Sequence, residues 1–519
     1  MKRSVLILGG GLSGFTAAFE AVRRGAAVTL ISDGAGASPF IHAFSTTLGE
    51  DDGTELLYED TLRSGCFLGE DDLVKELAEG AERIPAFLRE FGLDFDREGE
   101  QIRLIRPLGA TVPRVASVGG QTGPTLLKKI KERLAVTPLF TEKKNTRATD
   151  LICDHNRVIG ARLFDRDNQE FYDQGASAVI LATGGYCRLF PQSTTPSDLG
   201  GDGIAMAYRA GAKLRDLEMI QFEPCSAVYP DALRGKSIIT TLFYDGAVLK
   251  NNRGERFLLA YGPEGECLQK DVLSLRMARE INAGGAGEHG GLLMDCTAVP
   301  EEKWKGVYEA YYRRYLSVGI DLKTTSIEVA PAAHTSLGGV VIDKACRASV
   351  PGLFACGEVT GGLHGANRLG GNAGLETMVF GALAGQSAAM EAIETDPLPE
   401  NRVSARQSGL SILALREELK EKLALGLGVE RKEETTRSAE EWMERALLLP
   451  FDHACFEDVR LENDLLCSLF SLRAAELRKT SCGCHVRLDS ADEHENYFLT
   501  VRKQNEKPLF EKKMIEVKK

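Results

Sequence analysis

Residues 4–31 constrain the fold of this chain more than any other segment. An apolar run, Ser4 to Leu8, ends in Gly9-Gly10-Gly11-Leu12-Ser13-Gly14, and a second apolar run spans Ala27 to Ile31. Between them Phe15, Ala18, Phe19 and Val22 recur at helical spacing, which predicts strand, turn, helix and strand. In that context Gly9, Gly11 and Gly14 fit the G-x-G-x-x-G turn of a dinucleotide-binding unit, with Leu12 and Ser13 inside the same turn. The first glycine makes the tight turn, the second lets a pyrophosphate approach, and the third packs helix on strand. A residue that meets the ribose is expected at the end of the second strand, where Ser32 and Asp33 sit. Asp33 reads equally well as a solvated turn residue.

At 519 residues the chain is too long for one core, so two or three domains are expected. A net charge of −12 argues against a nucleic-acid partner and for a soluble, cytoplasmic protein. Val5 to Leu8 is too short for a signal-peptide core, and no apolar stretch is long enough to span a bilayer. The 12 cysteines include no C-x-x-C pair, so neither a zinc ribbon nor an iron–sulfur motif is readable. Cys482-Gly483-Cys484-His485 falls short of a tetrahedral metal set, and no metal is expected.

A second glycine-rich run, Cys356 to Glu376, follows a short buried strand at Gly352 to Ala355. It places His364 and Arg368 among small residues that let a backbone approach a planar ligand. From Asn372 it opens a long helix whose free N–H groups, around Gly374 and Leu375, suit an oxygen-rich ring edge. Two further segments belong with it: the strand Ala178 to Leu181 leading into Ala182-Thr183-Gly184-Gly185, and Gly200-Gly201-Asp202-Gly203. With Gly357-Glu358, these elements resemble, in order, the flavin-binding segments of the fumarate reductase, succinate dehydrogenase and L-aspartate oxidase flavoprotein family.

The resemblance implies an α/β fold: a Rossmann-type FAD-binding domain with an inserted α+β capping domain and a C-terminal helical domain. The FAD domain would be discontinuous, residues 1–222 and 335–392, with the cap at 223–334. Asp396 to Pro399 reads as a linker, 400–480 as three antiparallel helices and 481–519 as a tail, its lysine-rich end on the surface. It further implies FAD contacts from Asp202, from Glu358 toward the ribityl chain, and from Ser38, Ser45 and Thr46. Family members that bind FAD covalently carry a histidine where Ser38 stands, and His42 is displaced by four residues, so noncovalent FAD is expected.

By the same resemblance Arg368 grips a substrate carboxylate bidentately and His334 binds substrate. The departures lie in the cap. The family's Q-F-H-P reads Gln221-Phe222-Glu223-Pro224, replacing a carboxylate-holding histidine by an acid. Its T-E-A-x-R-G-E-G-A run reads Ile239 to Ala247, so threonine, glutamate and arginine become Ile239, Thr240 and Phe243. Its proton-donating arginine becomes Lys270, and the acid of its R-E-G-G run is lost at Arg106 to Gly109. A dicarboxylate beside an unpartnered Glu223 would lose on the order of 1–4 kcal/mol. The expected activity is therefore hydride transfer between flavin N5 and a small organic acid other than fumarate, succinate or aspartate. Lys270, or else Glu223, would move the proton, and Phe243 and Tyr244 would suit an apolar substrate body. A subunit passing electrons to an iron–sulfur or membrane partner, and a homologue that has lost catalysis, are the alternatives.

Overall fold

The structure is a computed structural model that describes residues 3–305, 308–392, 398–399, 401–489 and 496–515; positions 396–397 of the expected linker and the last four residues lie outside them. Its centre is a parallel five-stranded sheet in the order Leu353–Ala355, Ala178–Leu181, Ser4–Leu8, Ala27–Ile31, Phe140–Lys143. The three inner strands are almost wholly apolar because both faces are covered, one by the helices Leu12–Arg23 and Asn372–Glu391 and the other by an antiparallel sheet. The helix Leu12–Arg23 packs along the helix Asn372–Glu391 at Gly381 and Gly385. A Cβ on Gly385 would lie 2.1 Å from the Ala17 carbonyl oxygen, so only glycine allows this crossing.

An antiparallel sheet of Val403–Ser404, Glu170–Gly175, Arg157–Asp165 and Thr146–Asp154 lies beside this core. The segment between the two flavin-type halves forms its own antiparallel sheet, ordered Ile220–Ala227, Ile327–Ser336, Leu292–Asp295, Val248–Lys250, over a separate apolar core. The first two strands straddle both edges of the expected cap and pair with each other, Glu223 opposite Ala332. One strand pair thus carries the chain into the cap and back.

Three helices follow at Ile412–Gly426, Glu433–Ala446 and Phe456–Leu477. The lysine-rich end differs from the expected tail. Tyr497–Gln504 and Lys507–Met514 form a hairpin that pairs with Leu214–Arg215 and extends a sheet through Gly339–Val341 to Thr360–Gly361. Tyr497, Leu499 and Val501 point inward while the lysines face out, so the segment alternates as a half-buried strand does.

Beneath this sheet a buried ionic network ties the helices to the root of the cap. Arg478 pairs with Asp216 at 3.1 Å and Glu218 at 2.5 Å, and Arg431 donates to the Glu218 carbonyl oxygen at 2.8 Å. His485 Nδ1 accepts from Arg431 at 2.6 Å and Nε2 donates to the Arg478 carbonyl oxygen at 3.1 Å. Both ring nitrogens are thereby engaged, which gives the Cys482–His485 motif a structural use. Burial first, then Arg431 and Arg478, hold His485 neutral with a pKa well below the ordinary imidazole value. The unfolded chain would take up a proton here below about pH 6.5 while the native state would not, so stability falls with falling pH. The slope from this one group is about 1.4 kcal/mol per pH unit below that point. Denaturation midpoints measured between pH 7 and 5 should fall with acid, and His485→Asn should flatten the slope by one proton.

Candidate active site

A cleft with roughly 1180 Å³ of empty space runs across the carboxyl end of the central sheet. Gly9, Gly11, Leu12 and Ser13 line one side, Ala182, Thr183, Gly184 and Asp202 another, and Glu358, His364 and Glu376 its inner end. The backbone here is as close as chemistry permits: a Cβ on Gly9 would meet the Ala182 carbonyl oxygen at 2.0 Å, and one on Gly14 the Gly9 carbonyl oxygen at 2.1 Å. Gly14 therefore seats the helix and does not line the cleft. Ser38 lines it, and its hydroxyl accepts the Leu12 N–H at 2.7 Å. Thr183 Oγ1 and His364 Nδ1 are buried in the wall without a hydrogen-bond partner in the protein. Buried polar atoms of this kind ask for a polar ligand, and with the glycine floor they fit a flavin dinucleotide.

Several residues expected at the cofactor stand behind this wall. Ser32 turns its hydroxyl to Glu142 at 2.9 Å, leaving Asp33 as the lining residue of the pair. Asp33 is held by Arg166 at 2.9 Å and Arg147 at 3.3 Å, and Arg147 also grips Asp202 at 2.6 Å. Ser45 donates to Asn372 at 2.7 Å, Asn372 donates to Thr61 at 2.9 Å, and Thr46 donates to the Arg114 carbonyl oxygen at 2.7 Å. Leu375 is core, and Gly357 is a turn residue at φ +73°. From the long helix, Ala373, Glu376 and Thr377 reach the cleft instead, and Gly374 faces the next cavity.

That cavity, with roughly 1450 Å³ of empty space, lies between the cap and the flavin-type domain and shares Ala37, Ile41, Thr335, Glu358 and Ala373 with the cleft. It gathers Glu223, Lys270, His334 and Arg368, four residues spread over 146 positions from Glu223 to Arg368. The Ile220–Ala227 strand supplies Glu223, its partner strand His334, the start of the helix Lys270–Glu280 supplies Lys270, and the glycine-rich loop Arg368.

Glu223 is not without a partner. Lys270 Nζ lies 2.5 Å from its Oε2, and the two form an ion pair with the carboxylate buried and the ammonium partly exposed. The repulsion expected of an isolated acid is removed. His334 Nδ1 meets the Thr194 hydroxyl at 2.7 Å, and its Nε2 lies 3.8 Å from Glu223. Burial first, then Lys270 and Arg368, lower the His334 pKa far below its usual value, so the ring is neutral. Arg368 is 8% exposed, its Nε has no hydrogen-bond partner, and among the described residues no carboxylate comes within ion-pair distance. A buried guanidinium left this way is a standing demand for an anion.

Phe243 packs in the core of the cap, and Tyr244 opens onto an outer groove with Arg63 and Arg106, so neither offers a surface to the chamber. Its apolar walls come instead from Phe40, Ile105, Pro107, Leu108, Ile238 and Ile239. Sequence reading also missed Arg147, Thr194 and Arg314. Arg314 lies on the tyrosine-rich cap helix Glu309–Leu316, where only the three-dimensional path of the cap shows which of Arg313 and Arg314 turns inward. His42 lines the same chamber with its ring 5.1 Å from Tyr311, its pKa lowered to about 4 by burial and then by Arg314.

Comparison with known proteins agrees with this geometry. The "FAD binding domain" family matches residues 4–373. The chain is 33% identical to a fumarate reductase (CoM/CoB) subunit of Methanothermobacter marburgensis, covering 93% of this chain and 94% of that one. It is 31% identical to an L-aspartate oxidase of Yersinia pestis, over 95% and 97% of the two chains. The solved structure of Mycobacterium smegmatis Sdh1 in complex with UQ1 superposes with a TM-score of 0.85 at 28% identity, covering 100% of this chain and 95% of that one. Among the described residues no helix is long and apolar enough to cross a membrane. The chain therefore belongs to the FAD-binding family of the fumarate reductase and L-aspartate oxidase flavoproteins, and is an FAD-dependent oxidoreductase.

Proposed function

We propose that this enzyme moves a hydride to or from a small organic acid held in the chamber between cap and flavin domain, and that the acid is not fumarate, succinate or aspartate. The observation that carries the reading is Arg368, buried beside the flavin cleft with no carboxylate of its own. Bound FAD supplies the hydride donor or acceptor. Arg368 grips the acid's carboxylate and fixes the reacting carbon against the end of the cleft. His334, neutral and steadied by Thr194, donates or accepts a hydrogen bond at the same end. Lys270 holds the proton that is exchanged with the neighbouring carbon, Glu223 keeps Nζ aimed, and the partly exposed ammonium group exchanges its proton with solvent. The replacements at Ile239, Thr240 and Phe243 support a substrate other than the C4 acids, since none of the three can hold a second carboxylate as a charged partner.

The position of Ser38 supports noncovalent FAD: its hydroxyl caps the Leu12 N–H, and His42 turns instead to Tyr311 in the chamber. A second reading, a flavoprotein working with a separate electron-transfer partner, is favoured by the Methanothermobacter relative, whose name makes it one component of a larger enzyme. In that reading the chamber chemistry is the same and electrons reach the flavin from outside the chain. Steady turnover of the purified chain with a small redox dye, unchanged by added iron–sulfur protein, would count against it.

Acid denaturation should release all visible flavin into the filtrate. Flavin retained on the precipitated chain would show a covalent link. Lys270→Ala should lower turnover by about 10²–10⁴-fold against an acid that the native enzyme converts. It should also cost roughly 3–5 kcal/mol of stability by stranding Glu223, and the double variant Lys270→Ala/Glu223→Gln should recover most of that stability without recovering the rate. Full turnover by Lys270→Ala would remove it as proton donor.

A further inference from the structure

The chamber holds more positive charge than the proposed reaction uses. Its lining contains four cations, Lys236, Lys270, Arg314 and Arg368, and two carboxylates, Glu223 and Glu358, an excess of two. Glu223 is taken by Lys270. Glu358 is held by the Ser336 N–H at 3.0 Å and is shared with the cofactor cleft. Both histidines are neutral near pH 7, for the reasons given above. Lys236 is exposed, with its Nζ 5.4 Å from the centre of the Phe40 ring at the rim. The two cations left over inside are Arg368 and Arg314.

Arg314 is built into position. Its neighbour Arg313 turns to solvent and pairs with Glu309, whereas Arg314 turns into the chamber. Its guanidinium lies 5.5 Å from the centre of the Tyr311 ring, one turn back on the same helix, and NH1 donates to the Ser237 carbonyl oxygen at 3.2 Å. Among the described residues no carboxylate comes within ion-pair distance of it, and it has donors to spare. It belongs to the cap, beside Tyr311 and Ser237, whereas Arg368 stands on the glycine-rich loop of the flavin domain. The lining of the same chamber includes the apolar Ile238, Ile239, Leu108 and Pro107.

We propose that Arg314 is a specificity-determining residue: it binds a second anionic group of the substrate at the cap side of the chamber. This rests on the reading that Arg368 holds the reacting carboxylate. The substrate class is then an acid with a reacting carboxylate at one end, an apolar body longer than that of a four-carbon diacid, and a second anion at the far end. The chamber that both arginines line, with roughly 1450 Å³ of empty space, has room for such a body.

The test is a binding titration on the FAD-loaded enzyme, read as the change in the visible flavin spectrum and independent of turnover. Succinate, adipate and suberate are compared with butyrate, hexanoate and octanoate, in native enzyme, Arg314→Met, Arg314→Lys and Arg368→Met. The native enzyme should bind adipate or suberate at least ten-fold more tightly than the monoacid of equal length, and more tightly than succinate. Arg314→Met should erase that preference while leaving monoacid binding within about two-fold, and Arg314→Lys should restore part of it. An undiminished preference in Arg314→Met, or tightest binding of succinate, overturns the inference while leaving the role of Arg368 intact. Unchanged binding of every acid by Arg368→Met overturns the underlying reading instead. Retained flavin and an unshifted melting temperature in each variant would show that the fold survives.

Discussion

A carboxylate buried between two domains needs a cation, and the arrangement of the chamber follows from how Glu223 obtains one. It stands on the strand that leads into the cap, and its partner Lys270 stands at the start of a cap helix. The ion pair is therefore formed within the cap, close to where it roots in the flavin domain. Desolvating two charges offsets much of their attraction, so the pair adds little net stability, but losing either partner is expensive. The cap's substrate-facing surface is consequently fixed in charge. It contributes no net charge at Glu223, and leaves Arg368 as the unpaired charge on the flavin side. The geometry converts what looks like a repelling acid into an aimed ammonium group.

The parts legible in the sequence were those whose signals are local. Ala27–Ile31 and Ala178–Leu181 are read to the residue because strands buried on both faces are continuously apolar. The three late helices, whose spacing marks Ile412 to Leu425, Thr436 to Leu449 and Asp458 to Arg478, form to within three residues of those ends. The glycine turn is legible because close backbone approach admits no other residue. The lysine-rich hairpin was hidden because its charge outweighs an alternation of Tyr497, Leu499 and Val501 that is present in the sequence. Pairings across the fold were not legible at all. Nothing in spacing relates Glu223 to Lys270, or tells that Ser45, Thr46 and Asn372 brace one another and Leu375 fills the core, behind the cleft wall. A family motif names residues near a cofactor without saying which side chains face it.

Two sets of buried polar groups contrast in this protein. Arg478 and His485 are engaged at every polar side-chain atom with Glu218, Asp216, Arg431 and backbone carbonyls, and they hold domains together. Arg368, Thr183 and His364 keep at least one polar atom unpartnered, and all three line the cavities. Where unpartnered groups line a cavity they specify what that cavity must bind, since each carries a desolvation cost that a ligand there can offset.

The hairpin at Tyr497–Met514 bears on the order of assembly. Its first strand reaches Asp216 through a hydrogen bond spanning 283 residues, from the Leu499 N–H to the aspartate side chain. Asp216 sits at the root of the strand that enters the cap, so that root lacks its edge strand until the hairpin has emerged from the ribosome. Contacts of such separation form late, because a long loop must close before they return any energy. The flavin-type core, by contrast, has its first strands and helix far earlier in the chain than the hairpin. During synthesis the nascent chain would pass through a stage with its nucleotide turn shaped and its cap still unanchored, giving the cofactor an open route inward before the last strand pair secures the cap's root.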